Sequence, residues 1–277
     1  MKKKLKLSTV AAYAFLILFA AIDLIPFIWM LLSSFKPQSE LFVFPPKMLP
    51  QVWVPENYVN AWQAGGLNFS RMFLNTFIIV IPVTVFGILS ASLAAFAFAR
   101  IPFKGREFVF SLFLSSMMVP VCVTLIPRFL LFGRLGWIDS FKPLIVPGLF
   151  GTAFGVFLLR QFFMTIPGAL EEAAIIDGAS RLRIWAFIFM PLSTAIIATL
   201  TVFIFQYYYN DLINPLIYIN SKSMFTVQLG ISSFRGMYKT RYDLLMAASV
   251  FTTLPIIILY MSAQKYFVQG IVTTGLK

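Results

Sequence analysis

The sequence predicts an all-α fold: a polytopic membrane protein in which six apolar segments each cross the bilayer as a helix. Three observations carry this. Mean hydropathy is +0.87, and 60% of residues are hydrophobic against 12% charged, where soluble domains carry about 25% charged residues. Apolar runs of the ~20 residues needed to span a bilayer recur along the 277-residue chain. Charge falls almost wholly between those runs.

The first run, Thr9–Leu32, follows four lysines, Lys2, Lys3, Lys4 and Lys6. A secretory signal peptide would have an apolar core of about 7 to 15 residues and a small-residue cleavage site. This run is longer and continues through PFIWMLL, so it reads as an uncleaved span with the N-terminus in the cytoplasm. The Pro-rich stretch after it is too interrupted to span. Further runs cover Met72–Ala99, Phe108–Leu131, Pro143–Phe163, Ile184–Tyr208 and Leu244–Ala263. Six spans return the C-terminus to the cytoplasm. Under that topology the 22 Lys and Arg divide 12 inside and 10 outside, so the orientation rests on the lysine-rich start.

Composition excludes several classes. The net charge of +12 is spread singly beside apolar runs, which is membrane flanking and not a nucleic-acid stripe. No histidine is present, which removes imidazole triads and metal sites. No phosphate-binding G-x-x-x-x-G-K-[ST] loop occurs, so energy from ATP would come from a partner. Cys122, the single cysteine, reads as a buried small residue in an apolar run.

The stretch from Thr165 to Pro191 is the exception to the apolar pattern. Thr165 is suited to cap a helix and Pro167 to its first turn, with Glu171 and Glu172 near the positive end. Ala173 and Ala174 keep a surface low, Gly178 permits a turn, and Ser180 is placed to cap a second helix. Arg181 and Arg183 then oppose that helix's dipole, so lipid phosphates or an acidic partner should meet them.

Glu172-Ala173-Ala174, three residues, Gly178, nine residues, then Ile188-x-Met190-Pro191 resembles the EAA loop of the membrane subunits of binding-protein-dependent ABC importers, with Met190 for the usual leucine. The resemblance implies a type I ABC importer permease fold without a cofactor or catalytic residue. It further implies that Glu172, Ala173, Ala174, Asp177 and Gly178 meet ABC ATPase subunits on the cytoplasmic side. A membrane phosphotransferase pattern beginning Asp177-Gly178 fails, because no aspartate follows before Asp211. PFIWMLLSSFKP, PENYVNAW, Asn75–Phe77, Ile126-Pro127, LGWID, FLLRQFFMTIP and the ending QKYFVQGIVTTGLK are similar to the sugar-uptake branch, the maltose-type second permease above all. The resemblance divides the chain into 1–68 (N-terminus, first span and Pro-rich external loop), 69–264 (five-helix transmembrane domain, EAA loop at 165–191) and 265–277 (cytoplasmic C-terminal tail). It implies a second permease subunit, an extracytoplasmic solute-binding protein, membrane lipid and a sugar as partners, in a multi-pass cell-membrane protein with no nucleic-acid role.

Gln206, Tyr209, Asn210 and Asp211 resemble a segment that could line the sugar pathway, since amides and carboxylates bond hydroxyls and aromatic faces pack on sugars; an interfacial aromatic belt would have the same composition. Asp23 lies mid-span, where a charge costs ~2.5–3.5 kcal/mol, and suits either a functional or a partner-bonded structural role. Arg160 is placed to snorkel to headgroups, and Arg235, Lys239 and Arg241 make the last outer loop basic. The alternative function is an ion-coupled secondary transporter, which needs acids on several spans.

Overall fold

The computed structural model describes residues 7–63, 68–234 and 240–274, with side chains through Tyr266. The lysines at 2–6 and residues 275–277 of the expected tail lie outside the described residues, as do Arg235 and Lys239. All regular elements among the described residues are helices. Four are long and apolar enough to cross a membrane: Ser8–Ser33, Phe69–Arg100, Lys142–Thr165 and Tyr242–Tyr266. Two bent pairs, Arg106–Met118 with Val121–Arg134 and Arg181–Leu192 with Thr194–Tyr209, make six if each pair is one span. The last helix runs on to Thr274, so most of the segment expected as a tail continues the helix.

The bends correct the expectation of straight third and fifth spans. The first pair breaks by 95° at Pro120, which has φ −60° and ψ 136° and begins the next helix. A residue before proline is pushed out of helical geometry, and Val119 has ψ 114°. The second pair bends by 81° after a π-helical turn over Trp185–Phe189. There Pro191 has no N–H to donate, and its ring crowds the carbonyl one turn back. The Ser193 hydroxyl donates to Phe189 O at 2.6 Å, and its N–H reaches Phe189 O at 3.1 Å, so the break leaves that carbonyl bonded.

Residues cluster into two compact units. The first contains residues 1–69 and 230–254. Its long N-terminal helix, Leu7–Ser33, has no buried residue in its apolar window, and Asp23 stands on that exposed surface. Beyond the helix, Asn57 holds the chain reversal by donating to Ser34 O at 3.0 Å and Lys36 O at 2.8 Å. Lys36 is buried, donates to Lys47 O, and lies 4.6 Å from the Trp29 ring centroid. Gln38 bridges Thr240 O and the Asp243 N–H. Arg241 grips Asp243 with two bonds, at 3.0 and 2.8 Å.

The second unit contains residues 70–229 and 255–277. Its core joins Val83, Ala91, Ala95 and Phe96 of Phe69–Arg100 to Val156, Leu159 and Phe163 of Ala153–Thr165, and to Ile184, Phe189, Leu200 and Ile204. Phe189 presents its edge to Phe96 and Phe163, with centroids 4.9 and 5.3 Å apart. Among apolar spans, close packing supplies association where lipid offers no hydrophobic drive, so small residues matter. Gly151 is such a residue: it sits at φ +75°, and a Cβ there would lie 2.9 Å from Gly87 O. Arg160, expected at headgroups, is buried instead. It makes two bonds to Glu107, at 2.7 and 2.9 Å, donates to Phe98 O at 3.2 Å, and lies 4.1 Å from the Phe110 centroid.

In the LGWID segment, Asp139 at φ +57° accepts from the Asn220 and Ser221 N–H groups at 2.9 and 2.8 Å and from the Ser221 hydroxyl at 2.5 Å. The Ser221 hydroxyl bond, followed by the two backbone bonds, holds its carboxyl below the usual value. A lowered folded-state value means that the stabilisation is present above the ordinary carboxylate range and is lost as pH falls through the folded value. Asp139→Ala should therefore lower the thermal midpoint in detergent at pH 7. Its deficit against the wild-type protein should shrink below about pH 4, the unperturbed aspartate value; a deficit constant down to pH 3 would show that the carboxylate does not hold this loop.

Candidate functional site

The polar loop between the fourth and fifth apolar runs forms two short helices, Gly168–Ile176 and Arg181–Ile184. The first ends in a double-bonded cap. The Gly178 N–H meets Ile175 O at 3.0 Å and the Ala179 N–H meets Ala174 O at 2.9 Å, the pattern that needs a left-handed residue at the first position past the helix. Gly178 supplies it at φ +79°, and among the described residues beyond its chain neighbours nothing lies within 4 Å of where its Cβ would be. Ser180 caps the second helix, accepting from the Arg183 N–H at 3.4 Å. Thr165, expected from sequence to cap the first, does not. It is the last residue of Ala153–Thr165, and its hydroxyl donates back to Phe162 O. Pro167 takes the capping position itself, with φ −58° and ψ 133°.

Exposure sorts the residues singled out by sequence. Glu172, Ala173, Asp177 and Gly178 are exposed, whereas Ala174 is half-buried against the core. Between and beside them stand Ile176 and Leu182, 85% and 67% exposed. Sequence reasoning passed over both, although two large apolar residues in a polar loop were its available signal.

Glu171 faces the other way and is buried. It pairs with Arg181 and lies 3.9 Å from the Arg100 guanidinium, so the acidic partner sought for Arg181 is in its own loop. Arg100, at the end of Phe69–Arg100, donates to Phe163 O at 2.6 Å and to Ile166 O, carbonyls at the end of Ala153–Thr165. Its guanidinium carbon is 5.0 Å from the Phe189 centroid. One side chain thus joins two spans, the first loop helix and the π-turn. Sequence analysis counted Arg100 only as a flanking charge, because its partners are 63 or more residues away.

A second polar region lies in a cavity of about 800 Å³. Helix Thr194–Tyr209 and the turn after it contribute Gln206, Tyr207, Asn210 and Asp211; Val121, Cys122 and Leu125 contribute from the helix after the Pro120 break. Gln206, Tyr207 and Asn210 recur at helical spacing on one exposed face. Tyr209 is not among the lining residues: it is buried and stacks on Phe205 with centroids 5.5 Å apart. Tyr207 provides the exposed ring in its place. Cys122, expected to be buried, is exposed. Asp211 accepts from the Asn214 backbone and side-chain nitrogens at 3.1 and 2.8 Å, and Gln228 donates to Asn210 Oδ1 at 3.1 Å. Among the described residues, no group of three or more His, Cys, Asp or Glu is placed to hold a metal ion.

Helices long and apolar enough to cross a membrane, four to six of them, define the class as a multi-pass membrane protein. Residues 84–273 match the family of binding-protein-dependent transport system inner membrane components, and the chain belongs to that family. It is 31% identical to a probable ABC transporter permease, YurM, of Bacillus subtilis, over 100% of this chain and 91% of that protein. Its identity to the B. subtilis arabinooligosaccharides transport permease AraQ is 33%, covering 97% and 95%. In fold it is similar to a subunit of a bacterial ABC transporter involved in import of the acidic polysaccharide alginate, with a TM-score of 0.76, 21% identity, and coverage of 96% and 100%.

The ion cluster makes a ranked prediction. Glu171→Gln leaves the mostly buried Arg100 without its counter-charge and should destabilise by about 1–3 kcal/mol. Arg181→Ala removes a half-exposed partner and should cost under about 1 kcal/mol. Thermal unfolding of the purified subunit in detergent checks the order; equal midpoints for both variants and the wild-type protein would remove the cluster's structural role.

Proposed function

We propose that this chain is a permease subunit for a sugar or oligosaccharide, working in an importer whose ATP hydrolysis is supplied by separate subunits. The observation that carries the reading is the capped two-helix loop. It exposes Glu172, Ala173, Asp177 and Gly178, with Ala174 packed behind them, beside Ile176 and Leu182. Exposed apolar side chains rimmed by polar ones suit a protein interface. The occupant proposed is the ATPase subunit, with the loop and both chain termini on the cytoplasmic side, as the lysine-rich start favours. The domain roles assigned above to 1–68, 69–264 and 265–277 belong to the same proposal.

In this reading, closure of the ATPase pair displaces the docked loop. Because Glu171 is tied to Arg100, and Arg100 to the carbonyls after Phe163 and to the Phe189 ring, displacement of the loop pulls on the ends of three spans. The break at Ser193 gives one of those spans, the fifth, a place to rearrange, and the break at Pro120 gives one to the third span. The permease has no group that must bind ATP; it converts movement of the loop into alternating access.

The remaining partners follow the same logic. A first helix with no buried face, bearing Asp23 at membrane depth, supports a second permease subunit as its neighbour, since a lipid-facing acid is costly. The external binding protein is favoured by the family the chain belongs to. A saccharide is favoured by the kinship to an arabinooligosaccharide permease and by the donors and acceptors of Gln206, Asn210 and Asp211. In this reading Tyr209 supports that wall from behind, while Tyr207 offers its ring to the sugar.

Two experiments test the proposal. Purification of the tagged chain in mild detergent should bring down an ATPase, a second permease and a binding protein. A folded homo-oligomer that transports alone in vesicles would refute it. Gly178→Asp has open space for its Cβ among the described residues, strains the φ +79° turn less than most residues would because Asp tolerates the left-handed region, and should still insert. Its side chain would occupy the docking surface, so ATPase recovery and uptake should fall by about tenfold or more, roughly 1.4 kcal/mol of lost binding. Wild-type recovery would remove the turn from the interface.

A further inference from the structure

The cavity beside Gln206 has a charge character that the coupling loop does not explain. Of its eleven lining residues, all among the described residues, Asp211 is the one acid and none is lysine or arginine. Both Asp211 oxygens accept from Asn214, an uncharged partner that leaves the negative charge in place. Asn210 has its oxygen engaged by Gln228, so its amide hydrogens are the groups left to donate. Tyr207, 61% exposed, offers an aromatic face. An adjoining cavity has a cation, Arg128, in its lining. That cavity is separate, of about 60 Å³, and shares Tyr207, Asp211 and Asn214 with the larger one.

We infer that this cavity selects uncharged saccharides over acidic ones, with Asp211 as the specificity-determining residue and Cys122 on the opposite wall. The inference rests on the pathway reading above and goes beyond it by assigning charge class. Sugar hydroxyls both donate and accept, so a fixed carboxylate and a free amide N–H₂ satisfy them together. A uronate or phosphate would bring a second anion next to Asp211 without a cation in the lining to offset it. In a partly desolvated passage such repulsion is amplified over its value in water.

Cys122 makes the inference directly measurable, being the only cysteine of the chain and exposed. The complete importer, with cysteine-free partner subunits, is reconstituted in nanodiscs. It is then treated with a cationic trimethylammonium-ethyl or an anionic sulfonatoethyl methanethiosulfonate, each rate normalised to a free thiol. A negative cavity should react at least about fivefold faster with the cation, from local counter-ion enrichment. Asp211→Asn should bring the ratio near one, and adding Gln206→Lys, at an exposed position, to Asp211→Asn should invert it. An initial ratio of one or less, or a ratio unmoved by either variant, overturns the charge assignment. A bulky neutral maleimide on Cys122 should cut uptake by about tenfold or more if the cavity is on the route, the size of effect a lost productive geometry has. Full labelling with normal uptake removes the cavity from the pathway while leaving the docking loop, tested separately by co-purification, intact. Equal uptake by the unlabelled importer of neutral and acidic oligosaccharides of the same length would also overturn the selectivity.

Discussion

The structure turns on a single guanidinium that ends a long apolar helix. Arg100 cannot stay unpartnered among Phe163, Phe189 and the bases of the loop helices, because a charge taken from water needs bonded partners. It finds two carbonyls at the end of Ala153–Thr165, the buried Glu171 carboxylate and an aromatic face. Those carbonyls lie where Ala153–Thr165 stops and the intrahelical ladder runs out, with Phe163 O also accepting from the Ile166 N–H at 3.3 Å. One side chain therefore closes the accounts of a helix end and of a buried acid together. The consequence is mechanical: the loop that carries Glu171 cannot shift without loading the spans that share Arg100.

The breaks in the third and fifth spans belong to the same economy of backbone bonds. In a bilayer every peptide group must be bonded within the protein, so a bend is tolerated only where other groups complete it. At Ser193 the hydroxyl and its own N–H both converge on Phe189 O. The π-turn at Trp185–Phe189 directly precedes that point, and Phe189 is also the ring beneath Arg100. The bend, the core contact of Phe189 and the anchor of the loop thus lie within one turn of chain. Elsewhere in the same unit, Asp139 performs a similar service for loop backbone, gathering the Asn220 and Ser221 N–H groups.

The charge pairs differ in kind. Arg160 with Glu107 is a two-bond grip between a buried base and a largely exposed acid, and Arg241 with Asp243 is local along the chain. The Glu171 cluster pairs one acid with two bases from different segments, with one partner half-exposed and the other two members mostly covered. Exposed pairs are screened and contribute little, so the covered Arg100–Glu171 contact is the one able to convey force. The cavity near Asp211 contrasts with it, since its acid is bonded to the uncharged Asn214 and has no cation among the residues lining that cavity.

Much of this was legible in the sequence, and the reasons divide cleanly. Apolar run length and the isolation of charge between runs determined a helical membrane protein, because bilayer thickness demands about 20 apolar residues per span. The run from Glu172 to Pro191 determined the two-helix loop, since Gly178 and Ser180 act on their immediate neighbours. Helical period alone could have separated Tyr207 from Tyr209, as Gln206, Tyr207 and Asn210 share a face that Tyr209 does not. What only tertiary structure decided is everything whose partner is distant in sequence. The burial of Arg160, the exposure of Cys122, the pairing of Arg181 with Glu171 and the fourfold role of Arg100 all arise from segments brought together by packing. Local pattern records which face of a helix is apolar; it does not record which other helix will cover that face, or which carbonyl a guanidinium will find there.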